Sequence, residues 1–217
     1  MTYFLAPAVK IFLTLCIIVL ITGCTQTKYA GLNENTERAS TPALNFQLAD
    51  AFYKDPPDCI VIMPLKNIPS EVKSALRKAL YVKVLRVISG TERSRMARHW
   101  AIDLTHLGDR KTFSRLSKCR FALEAKGWNN SETHAVIWSQ KSVGIKATLR
   151  RISDGLVVWQ GRHVVERSGG GLPLSPLSIA AQAFSASRFA MDNDNSFSMA
   201  DDLARHLLKT FPDSREL

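Results

Sequence analysis

The sequence predicts an α/β fold: a mixed sheet with an antiparallel C-terminal meander, flanked by helices, in a single domain. Three observations carry that prediction. "CIVIMP", Cys59 to Pro64, is an unbroken apolar run, which suits a strand buried on both faces. Just beyond it, Val72, Leu76, Ala79 and Leu80 recur on one face of a helix. Later, "CRFALEAKGW", "THAVIWSQ", "VGIKATLRRI" and "GLVVWQGRHVVERS" place Ala122, Val136, Ile145 and Leu149 in alternating apolar and polar contexts, the period-two mark of half-buried strands. The same elements segregated along the chain would make the α+β alternative.

The elements follow in order from the amino terminus. Met1 to Lys10 carries one positive charge and no acid, and Ile11 to Ile21 reads "IFLTLCIIVLI". A basic start, a short apolar stretch and small residues after it make residues 1–23 a secretory signal peptide. The run falls short of the roughly 20 residues that cross a bilayer core. Ile21-Thr22-Gly23-Cys24 resembles the lipobox of bacterial lipoproteins. That resemblance implies diacylglycerol in thioether linkage on Cys24, cleavage before it, and acylation of the new amino terminus. Each buried methylene contributes about 0.8 kcal/mol, so two or more chains anchor stably. Thr25 rather than Asp after the acylated residue implies, by the lipoprotein-sorting pattern, the outer membrane as the destination, with the body facing the periplasm.

Residues 24–56 read as a lipidated amino terminus and flexible linker, polar and without a sustained period, although "FQLADAFYKD" suggests a short helical turn. The globular domain spans 57–211. Ser70 offers an N-cap to the helix after the first strand, and "VKVLRVIS" is a strand or the end of that helix, closed by Gly90. "DRKTFSRLSKC" reads as helical on Phe113 and Leu116. Asp154-Gly155 turns the last two strands into a hairpin. A crossover through "GGGLPLSP" leads to a helix from about Pro176, a favourable first position. That helix carries Leu177, Ile179, Phe184 and Phe189 but one charge, Arg188, so apolar surface is left over for an interface at Leu177, Phe184 and Phe189. "DNDNS" is a polar loop. Ser198 and Asp201 form a capping box for a last helix faced by Leu203, Leu207 and Leu208, and residues 212–217 are a tail.

The chain carries 29 basic against 19 acidic residues, a formal charge of +10. For an exported protein the available polyanions are anionic headgroups, lipopolysaccharide and wall-associated polymers rather than nucleic acid; a solvated basic face serving solubility is the plainer reading. Cys16 leaves with the signal and Cys24 is acylated, so Cys59 and Cys119 remain as a candidate disulfide or as two packed thiols. No further Cys or His stands near them at zinc-ligand spacing, so no metal is expected.

Motifs for chemistry are missing from the sequence. The triple Gly at 169–171 is followed by no Gly-Lys-Ser/Thr, and "DNDNS" lacks the Gly and Glu of a calcium loop. His99, His106, His134, His163 and His206 are scattered, and Glu124 and Glu166 sit on strands where a solvated face explains them. The expectation is a protein without catalytic residues, cofactor or enzymatic activity.

A lipobox and linker, then "CIVIMPL", a helix, "ALEAKGW" and "ATLRRISDGLVVWQGRH" resemble the CsgG/TolB-N-terminal-domain-like group of envelope lipoproteins. In that group an Ile/Val-rich first strand ends in Pro and a later hairpin recurs, here Leu149, Ser153, Asp154, Gly155 and Trp159. The resemblance implies an α/β body with a mixed sheet and no chemistry of its own. The function expected is that of a membrane-anchored, non-enzymatic interaction or assembly factor in the cell envelope. Its partner would be an envelope protein or further copies of the chain; a subunit of an export assembly and an enzyme with an unrecognised site are the alternatives.

Overall fold

A computed structural model describes residues 27–29, 45–135, 138–170 and 176–217. Along them run β1 (Thr27–Tyr29), β2 (Asn45–Leu48), α1 (Asp50–Lys54), β3 (Cys59–Ile62), α2 (Ser70–Tyr81), β4 (Arg86–Ile88), α3 (Gly90–His99) and α4 (Leu107–Ser117). They continue as β5 (Phe121–Ala135), β6 (Trp138–Arg151), β7 (Val157–Gly170), α5 (Pro176–Met191) and α6 (Asn193–Leu208). The fold is α/β, with one mixed open sheet of 7 strands flanked by helices. Its path is β7-β6-β5-β3-β4, and β1 and β2 both pair along the outer edge of β7.

β3 lies parallel to β4 on one side and to β5 on the other, and so needs helical crossovers. Its apolar run is explained by burial on both faces. Ile60 and Ile62 face a core shared with α2 and α6, where Leu76, Leu80, Leu203 and Leu207 meet Phe121, Leu123, Ile145 and Leu149. Cys59, Val61 and Met63 face the other way, onto Ile88, Phe113 and Ala122 beneath α3 and α4. Trp159 closes the larger core, edge-on to Phe211 at 5.3 Å, with its indole N–H donating to Thr210 Oγ1 at 3.3 Å.

Several local expectations change. The stretch 24–56 is not all linker. Thr27–Tyr29 and Asn45–Leu48 cover the edge of β7, whose row of unpaired backbone groups is a ready template for added strands. Asp50–Lys54 is helical and buries Phe52. The 212–217 tail is tied down: the Ser214 hydroxyl lies 2.8 Å from the Pro57 carbonyl and 2.9 Å from that of Lys83. Ser70 is the first helical residue rather than the cap, which Pro69 supplies. Gly90 opens a helix instead of closing a strand, because the Ser89 hydroxyl accepts from Glu92 N–H. Asn193 to Ser196 belong to α6, since Asp192 caps it by accepting from Asp194 N–H. "THAVIWSQ" is no separate strand: it divides between the end of β5 and the start of β6.

Candidate functional site

Helices α3 and α4 cover the sheet only over β3, β4 and the first residues of β5. Beyond them the strand registers bring cations together on that face. Lys66 bridges to Lys126, Lys126 stands opposite Lys146, and Lys146 stands opposite Arg162. Side chains directly opposite on neighbouring strands share a face, and like charges so placed destabilise a sheet. Lys66, Lys126 and Lys146 are exposed, and none of the ion pairs among the described residues engages them.

The row borders a groove of about 720 Å³ between the sheet and the α3–α4 layer. Its lining includes Met63 and Leu104 as apolar residues, with Arg93, Arg110 and the three lysines as cations. Two carboxylates share it, and both are engaged. Glu124 accepts from Arg110 at 2.9 Å and lies 3.5 Å from Arg150 Nε. Asp103 accepts from the Thr105 N–H at 2.9 Å, and bonds to Thr105 hold its carboxyl below the usual range. Arg93 donates to the Ile62 carbonyl, and burial lowers the pKa of its guanidinium. The groove therefore presents surplus positive charge on a rigid sheet. Chemically it can hold an anion. Among the described residues no group of three His, Cys, Asp or Glu is placed to hold a metal ion.

The residues singled out from sequence are distributed as follows. Cys24 lies outside the described residues. Cys59 and Cys119 form a disulfide, Cα to Cα 5.1 Å, sealed beneath α3 and α4. Leu177 belongs to α5, but its side chain lies outside the described ones. Phe184 is 64% exposed, and Met191 on the same helical face is 83% exposed. Phe189 turns inward and is 7% exposed, against Gly169, so it belongs to the core and not to an interface. Glu124 and Glu166 are not brought together: β6 lies between their strands, and Glu166 accepts from the Gln140 amide at 3.3 Å. His163 and His206 do meet, stacked at 5.6 Å beneath α6. Burial first, and the neighbouring His206 second, pull the His163 pKa down to about 4. The cationic row is hard to see in the sequence because its members lie far apart along the chain. The available signal is a Lys at a polar position in two of the alternating strands, Lys126 and Lys146.

No family model matches the chain, and no curated protein matches it. Solved structures show a distant likeness. One is a PelC dodecamer from Paraburkholderia phytofirmans, at 16% identity over 76% of this chain and 96% of that one, TM-score 0.37. Another is lipoprotein GNA1162 from Neisseria meningitidis, at 14% identity over 63% of this chain and 100% of that one, TM-score 0.40. A third is the LpoB C-terminal domain from Salmonella enterica, at 13% identity over 52% of this chain and 88% of that one, TM-score 0.35. Likeness at this level transfers neither family nor function to this chain.

Proposed function

We propose that this chain is a bacterial lipoprotein of the cell envelope, acylated at Cys24 and held at the outer membrane with its body in the periplasm. It works there as a non-enzymatic interaction or assembly factor. Membership of the CsgG/TolB-N-terminal-domain-like group is part of this reading and rests on the sequence resemblance. The buried Cys59–Cys119 disulfide supports export, since such bonds persist in oxidising compartments.

The observation that carries the role is α5. One face of it, through Phe189 and Ala186, packs on the sheet, while Phe184, Arg188 and Met191 stand outward at helical spacing. Large apolar side chains left outward on a packed helix mark a surface for protein contact. The test is Phe184→Glu in the full-length protein, followed by in-cell crosslinking and by light scattering in detergent. The expected result is loss of the crosslinked species or of the oligomer, with circular dichroism and unfolding midpoint nearly unchanged. Phe189→Glu is the contrasting variant and should unfold the protein. Unchanged crosslinking and mass for Phe184→Glu would show that α5 is not the contact surface.

A further inference from the structure

The feature of the fold that the assembly role leaves unused is the cationic row, and its geometry suits a ligand. An isolated parallel bridge and the registers of three strands, β5, β6 and β7, align Lys66, Lys126, Lys146 and Arg162. At the spacing of paired strands the row spans about 14 Å. The aligned charges of Lys66, Lys126 and Lys146 cost stability in the free protein, so a bound polyanion recovers what these lysines lose. The two carboxylates within the groove are already held by Arg110, Arg150 and Thr105 and neutralise none of the three lysines.

We propose that this row and the groove beside it bind a linear acidic glycan, laid across the strands with its carboxylates on the lysines. Two features of the molecule favour that ligand. The row is a line, so it suits a chain with one charge per repeat better than a single compact anion. Trp128 stands two residues along β5 from Lys126, on the same face and exposed opposite Gly144, and offers a flat apolar surface to a sugar ring. The choice of a glycan over a nucleic acid rests on the envelope reading above, which Cys24 labelling tests independently.

The experiment uses full-length protein in detergent and a fluorescent oligogalacturonate as probe, with binding read by anisotropy across a salt series. The wild type should bind, and affinity should fall as salt rises. Lys126→Gln with Lys146→Gln should weaken binding about tenfold or more and lower the logarithmic salt slope by up to about one per lysine. Lys111→Gln with Lys118→Gln removes the same charge elsewhere and should leave binding within about twofold; this pair separates a built site from net charge. Trp128→Ala should weaken binding at every salt concentration without changing the slope. Four results would overturn the proposal: no binding by the wild type, equal losses in the two lysine pairs, equally tight binding of single-stranded DNA, or tighter binding of soluble glycerophosphoglycerol, the phosphatidylglycerol headgroup, than of the oligogalacturonate.

Discussion

Removing the disulfide should cost this fold much of its stability, and the structure sets the amount. Cys59 and Cys119 are 60 residues apart in sequence, so their bond closes a loop that holds β3, α2, β4, α3 and α4. Loop-closure entropy for that length comes to about 4 kcal/mol. Both sulfurs are also packed, against Val61, Phe113 and Ala122, so deleting them adds a small cavity cost. Comparing the reduced wild type with Cys59→Ala/Cys119→Ala separates the two contributions, because the reduced protein keeps the sulfur volume. The assay is urea unfolding of each form. Reduction should lower stability by about 4 kcal/mol, with a melting temperature lower by roughly 10 °C for a domain of this size. It should also raise the denaturant dependence, because the freed loop exposes more surface when unfolded. A loss below about 1 kcal/mol would refute loop closure as the source. Two alkylatable thiols in denatured, unreduced mature protein would refute the bridge itself.

Two further outcomes follow from the core. His163 is neutral in the folded protein with a pKa of about 4, against 6.5 unfolded, so below pH 6.5 the unfolded chain binds the extra proton. Its contribution is complete above pH 6.5 and is lost as pH falls toward 4, about 3 kcal/mol in all; urea midpoints across that window should show the slope, and His163→Gln should flatten it. Gly127 lies where the chain after β3 crosses β5, and a Cβ there would stand 1.7 Å from the Asn67 carbonyl oxygen. Gly127→Ala should therefore destabilise by about 2 kcal/mol; a thermal melt matching the wild type would show that the crossing can open.

Local periodicity makes the central strand, the helix over Ser70–Tyr81 and the Asp154-Gly155 turn legible in the sequence, since each depends on neighbours within a few residues. The helix from Pro176 is readable for the same reason. What stays hidden depends on partners distant in sequence. The strands at Thr27–Tyr29 and Asn45–Leu48 are too short for a period to show, and pairing along the edge of β7 gives them structure. The α3 helix carries no buried residue, so no apolar stripe announces it. Apolar content alone marks Phe184 and Phe189 alike; which of them faces Gly169 is decided by how α5 sits on the sheet. The cationic row is the strongest case, because the register of three strands and one isolated bridge assembles residues 66 to 162 into one line.

The proposed function depends most on Cys24, whose thiol alone can form the thioether that holds the body at the membrane. Metabolic labelling with a radiolabelled fatty acid, run on wild type and on Cys24→Ser, reads that bond out directly. The wild type should take up label and fractionate with the membrane, and Cys24→Ser should remain an unlabelled, uncleaved or soluble precursor. Label and normal membrane fractionation in Cys24→Ser would contradict the lipoprotein assignment.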